Sequence, residues 1–123
     1  MTAWTSDERT RIGAADELQI AVRRADGTLR NPVIIWVVAH NNKLYVRSVN
    51  GRDAAWFRSA QATHEGHIRA GGVDKDVAFV DVPHGIDDEL DAAYRAKYKY
   101  SPSSVALIVS PQARSATLEL EPH

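Results

Sequence analysis

Between Tyr45 and Arg52 the sequence reads Tyr-Val-Arg-Ser-Val-Asn-Gly-Arg. Gripping a phosphoester needs guanidinium forks, hydroxyls and free backbone N–H groups that converge on one point. Arg47 and Ser48 at a strand end, the flexible Asn50-Gly51 turn, and Arg52 beside a helix start supply all three kinds of group. Arg30, at the start of a neighbouring strand, can join them across a hairpin. An ordinary strand–turn–helix with surface arginines would show the same spacing. The charge distribution adds to the case: eight basic residues stand against three acids from Arg23 to Arg69, in a chain whose net charge is only −1. That overall balance argues against a general nucleic-acid binder, and only the basic segment speaks for an RNA-binding barrel.

Trp36 and Trp56 could form a flat wall for a ring system, although tryptophans so placed also serve as plain core. Gly71-Gly72 allows close backbone approach to a ligand, or simply a turn or bulge. Tyr94, Lys97, Tyr98 and Tyr100 cluster on one predicted helix, where Tyr94 and Tyr98 fit the buried stripe and Lys97 a solvated position. If the chemistry needs a proton donor, Tyr45 and Tyr98 are the candidates. His64-Glu65-Gly66-His67 lacks the four-residue helical spacing of a zinc protease motif, so no metal site is expected. The chain has no cysteine, which removes thiolate nucleophiles, disulfides and cysteine-based metal sites. Asp87, Asp88, Glu89 and Asp91 read as charges at a helix start rather than paired catalytic carboxylates.

The elements that must position these groups follow from periodicity. Thr5-Ser6-Asp7-Glu8 fits a capping box and starts a helix from Ser6 to about Ile12, with Gly13 near its end. Leu18, Ile20 and Val22 alternate with polar or small residues as a half-buried strand, and Asp26-Gly27 marks a turn. Pro32 to Val38 is apolar on both faces, so this strand must be covered on both sides, by the core and by a helix, partner chain or flat ligand. Asn41-Asn42 makes the next turn and Leu44 to Val49 a third strand. Asp53 can cap a helix through about Gln61, with Trp56, Phe57 and Ala60 as its apolar side. His67 to Gly72 and Asp76 to Val82 read as strands around an Asp74-Lys75 turn. Ile86, Leu90, Ala93, Tyr94 and Tyr98 recur at helical spacing, and Pro102 ends that stretch. Val105 to Val109 and Ala116 to Glu121 read as two last strands joined by a turn at Pro111-Gln112. Six to seven short strands with few crossovers and three short helices predict an α+β antiparallel barrel in one domain over residues 1–123.

Composition fits that prediction: 123 residues, 44% hydrophobic and 25% charged, are enough for one core. Met1 to Glu8 lacks a basic segment followed by an apolar run, so no signal peptide is expected. The longest apolar run, Val33 to Ala39, is too short to span a bilayer. A cytoplasmic location without membrane contact is the expectation.

Certain segments carry a resemblance. Asp26-Gly27-Thr28-Leu29-Arg30, Val33 to Val38, Leu44 to Gly51, Ala54-Ala55-Trp56-Phe57-Arg58, Ile68 to Gly72 and Ala92 to Tyr98 together resemble the bacterial family called domain of unknown function 2255. More distantly, the order of elements resembles the flavin- and deazaflavin-binding split barrels, those like pyridoxamine-phosphate oxidase and those like deazaflavin-dependent nitroreductases. The resemblance implies a homodimeric split β-barrel holding FMN or a deazaflavin at or near the subunit interface. It places the phosphate loop on Arg47, Ser48, Asn50, Gly51 and Arg52, the hairpin cation on Arg30, and Trp36 on the strand that faces the ring; Trp56 is a cofactor contact on the aromatic-wall reading above. Two functions then stand open: an oxidoreductase whose hydride chemistry belongs to the cofactor, or a carrier module that holds an anionic, phosphorylated small molecule without reaction.

Overall fold

The computed structural model describes residues 3–122; Met1 and Thr2, where the segment read for a signal peptide begins, and His123 lie outside the described residues. Seven strands form one antiparallel sheet: β1 (Leu18–Val22), β2 (Val33–Ile35), β3 (Val37–His40), β4 (Lys43–Arg47), β5 (Glu65–Ala70), β6 (Val73–Asp81) and β7 (Thr117–Pro122). Their spatial order is β2-β1-β5-β6-β7-β4-β3. β2 and β3 are consecutive in the chain yet lie at opposite edges, joined only through Trp36. The sheet therefore curls until its two edges meet at that residue, which makes an α+β split barrel.

Five helices dress the barrel: α1 (Ser6–Ala14), α2 (Ala55–Thr63), α3 (Asp87–Lys97), α4 (Pro102–Ile108) and α5 (Pro111–Arg114). The α1 capping box forms as its sequence predicts, with Thr5 Oγ1 accepting from the Glu8 N–H and Glu8 accepting from the Thr5 N–H. One core fills the barrel, with Ile20, Val37, Val46, Phe79 and Leu118 among its members. A second core lies outside it, where Val38 and Tyr45 meet Leu90 and Tyr94 of α3, Tyr98 at its C-terminal cap, and Val105 and Ile108 of α4. Val37 faces the first core and Val38 the second, which is why this strand is apolar on both faces.

Several boundaries depart from the sequence reading. The apolar run is not one strand, because it breaks at Trp36, and its first half is not covered on the outside: Ile34 is 58% exposed. Leu44 to Val49 stops pairing at Arg47. Asp53 lies in a short 3-10 turn and does not cap α2, whose N-cap is Ala54. The β5–β6 turn sits at Gly71-Gly72, with both glycines at positive φ (57° and 83°), while Asp74 and Lys75 are inside β6. Two residues at positive φ suit a tight two-residue hairpin, which favours the glycine pair over Asp74-Lys75. The close approach that Gly71 permits is to the Arg11 backbone of α1. The predicted strand Val105–Val109 is helix α4, begun by Pro102 at its first turn, and the Pro111-Gln112 turn is the start of α5, capped by Ser110. Among the described residues there are thus five helices rather than three. No helix among the described residues is long and apolar enough to cross a membrane.

Gly71→Ala places a Cβ on the Arg11 carbonyl at a φ that alanine disfavours. It should lower stability by about 1–3 kcal/mol in urea unfolding. An unchanged midpoint would show that α1 does not seat against this turn.

Candidate functional site

The strand break at Trp36 opens a cleft of about 380 Å³ beside the barrel seam. β2 and Trp36 form one wall. The chain leaving β4, from Arg47 to Asn50, forms another, with Ala54 and Trp56 at the start of α2. Ser104, Leu107 and Ile108 of α4 close the third side. The volume is in the range of small-molecule sites, and the walls are mostly apolar.

The two tryptophans are held differently. Trp36 stacks flat on Tyr98, with ring centroids 3.7 Å apart and planes 4° from parallel. Tyr98 is fixed in turn, because its hydroxyl donates to the Asp16 carbonyl at 2.8 Å and accepts from the Val37 N–H at 3.2 Å. Lys97 donates to the Val37 carbonyl at 2.6 Å. Side chains from the end of α3 thus occupy the backbone groups of edge strand β3, and burial lowers the Lys97 ammonium to about 8. Trp56 is largely buried and meets Phe57 edge-on at 5.8 Å.

Arg47 is fully buried and committed within the protein. Its Nε donates to Thr117 Oγ1 at 3.1 Å, and its Nη1 donates to Asp91 Oδ1 at 2.5 Å and to the Ile108 carbonyl at 3.2 Å. Its Nη2 donates to the Asp87 carbonyl at 3.3 Å. One guanidinium thereby ties β4 to β7, α3 and α4. Asp91 also accepts from Arg114 Nε at 2.9 Å. Burial would raise the Asp91 pKa, but the hydrogen bonds from Arg114 and Arg47 outweigh it and hold the carboxyl below its ordinary value. Next to Arg47, Ser48 is buried in the cleft wall and its hydroxyl has no hydrogen-bond partner among the described residues. Such an orphan is costly unless something else fills it.

Of the residues singled out in the sequence, Trp36, Arg47, Ser48, Asn50 and Trp56 line the cleft together. Gly51 is buried behind the loop at φ +74, where it packs against Gln112. Arg52 points away, donating to the Ser115 carbonyl at 2.8 Å with its guanidinium 5.3 Å over the Phe57 ring. Arg30 is half-buried in the β1–β2 connection and does not line the cleft. Neither Tyr45 nor Tyr98 lines it either. His67 lies on the outer face of β5 between Asp74 and Asp76, and its pKa is raised by the Asp76 hydrogen bond first.

Sequence reasoning missed the α4 wall, because Val105-Ala106-Leu107-Ile108-Val109 reads as a strand. Pro102 after Ser101 was the available signal for a helix start. Asp91 reads in the sequence as a charge at a helix start, yet it is buried, and Asp91, Tyr94 and Tyr98 recur at three- and four-residue spacing along one stripe.

Val33, Ile34, Val49 and Leu107 are large hydrophobic residues in the cleft walls, and each is at least 37% exposed. The cleft therefore has an apolar rim.

The Asp91 pairing gives a pH signature. A carboxyl whose folded pKa is depressed contributes stability that is complete above its unfolded value, about 3.9 for Asp, and is lost as pH falls through the folded value. The stability gap between the protein and Asp91→Asn should be about 3 kcal/mol near neutral pH and should shrink below about pH 4 in urea titrations. A gap that stays constant into acid would place Asp91 outside the clasp.

Known structures share this architecture at low identity. An F420 reductase superposes with a TM-score of 0.62 at 10% identity, covering 94% of this chain and 90% of that one. The heme storage protein HutZ from Vibrio cholerae gives 0.66 at 13%, covering 98% and 91%. A FAD-binding protein from Mesorhizobium loti gives 0.58 at 16%, also covering 98% and 91%. These likenesses show the fold. Comparison with curated proteins gives no match. A family model described as an uncharacterized protein conserved in bacteria (DUF2255) matches residues 8–120. The chain belongs to that family.

Proposed function

We propose that the cleft at the barrel seam binds the ring of a flavin or deazaflavin and that the protein works as an oxidoreductase with that cofactor. The observation that carries the reading is a tryptophan-walled apolar cleft in which a buried serine hydroxyl lacks a partner among the described residues. The F420 reductase and the FAD-binding protein that share the fold support it as an analogy. Trp36 and Trp56 would hold the ring, Ser48 and Asn50 its polar edge, and Gly51 the loop's path. Arg47 would act from behind, by keeping α4 in place as a wall.

A flavin or deazaflavin would supply the hydride chemistry; the protein would supply binding, orientation and exclusion of water. Heme, which the similar heme storage protein HutZ suggests, fits the cleft less well. Its iron needs an axial His, Cys, Met or Tyr ligand, and none is among the wall residues. The apolar rim of Val33, Ile34, Val49 and Leu107 suits a second copy of the chain, which would close the open side.

Titration with FMN and with F420, followed by tryptophan fluorescence, should give saturable binding of at least one. Trp56→Ala should weaken it by about tenfold or more. Sedimentation should show a dimer, and Leu107→Lys should yield a monomer with reduced affinity. Turnover of an electron acceptor by the loaded protein separates the oxidoreductase from a carrier that binds and does not react. Absence of saturable binding for both cofactors would overturn the reading.

A further inference from the structure

We propose that the cleft recognises the uncharged ring of its ligand and draws none of its affinity from phosphate. The inference rests on the cleft being the ligand site. The class of ligand it selects is a neutral planar heterocycle with an amide- or imide-like edge, whose charged tail stays at the mouth in solvent.

Arg47 is the one charged residue among the wall residues, and it is already neutralised by Asp91 at 2.5 Å. Four of the five N–H donors of a guanidinium are used, on Thr117, Asp91, Ile108 and Asp87. Turning Arg47 toward a phosphate would take these bonds apart and leave the buried Asp91 with Arg114 alone. Removing one partner of a buried ion pair is among the most destabilising changes a protein can undergo. Arg52 is spent on the Ser115 carbonyl and Gln61, and neither Arg30 nor Arg58 belongs to the wall. A phosphate dianion in this cleft would lose hydration against apolar walls and meet no free cation among the described wall residues.

The same walls suit a neutral ring. The half-buried Trp36 and the small exposed part of Trp56 offer apolar surface. The Ser48 hydroxyl is a donor and acceptor without a partner, and the Asn50 amide brings two donors and an acceptor to the rim. A ring edge that alternates C=O and N–H matches that set, whereas a phosphate offers only acceptors. The feature that looked like a phosphate loop in sequence is then a device for reading a heterocycle.

The test compares FMN, riboflavin and inorganic phosphate on the protein as isolated, by tryptophan-fluorescence titration. Riboflavin and FMN should bind within about threefold of each other, and phosphate at about 10 mM should displace neither. Ser48→Ala, which removes no hydrogen bond of the protein itself, should fold normally and weaken both flavins alike by about fivefold. FMN binding tighter than riboflavin by about thirtyfold or more, or competition by phosphate, would overturn the inference and leave the cleft reading intact. Equal affinity of Ser48→Ala and the unchanged protein would remove Ser48 from the recognition set. Failure of FMN, riboflavin and F420 alike to bind would overturn the cleft reading itself, and this inference with it.

Discussion

The buried pair of Arg47 and Asp91 is the constraint on which the rest of the molecule turns. A barrel this small leaves the outer face of β4 to be covered by helices that have little core of their own. Tyr45 covers part of that face with apolar contact. Arg47, two residues further along the same face, cannot be left dry and unpaired. The fold answers by bringing Asp91 from α3, the last carbonyl of α4 and Thr117 of β7 to a single guanidinium. The pair therefore specifies where α3 and α4 sit more than it adds net stability, since two apolar residues of similar size could serve as well for stability alone. Because α4 is fixed there, its Ser104–Leu107–Ile108 side becomes one wall of the cleft.

The other walls come from the seam of the barrel. Seven strands do not close on themselves here; β2 and β3 remain edges, separated by one tryptophan. Open edges invite unwanted pairing, and the α3 end answers that risk at β3 through Tyr98 and Lys97. At β2 the side chains of Val33 and Ile34 are exposed, while Ile35 packs on the barrel core. The site and the exposed rim thus have one origin, the place where the sheet fails to close.

Much of the fold was legible in the residues, and the reasons for the rest are specific. Alternation showed β1 and the start of β4, the capping box showed α1, and the charge gradient with Leu90, Tyr94 and Tyr98 showed α3. The break at Trp36 was not legible, because an aromatic residue in an apolar run has high strand propensity and only the curl of the whole sheet forces the split. The residues from Val105 to Val109 misled for the same reason: β-branched side chains carry strand propensity, while tertiary packing of Val105 and Ile108, three apart, decides for helix. At the site, the aromatic residues and the loop were visible from residue type. The commitment of Arg47 was not, because an arginine that binds an anion and one that binds a buried carboxylate look identical until the partner, 44 positions away, is placed beside it.

The measurement that bears most directly on this account is a double-mutant cycle between Arg47→Met and Asp91→Leu, read by equilibrium unfolding. The account predicts single variants that each lose several kcal/mol, a double variant that recovers much of the loss, and a coupling above about 1.5 kcal/mol. Additivity within about 0.5 kcal/mol would mean that the two charges are not bound to one another, and Arg47 would be free for a ligand after all.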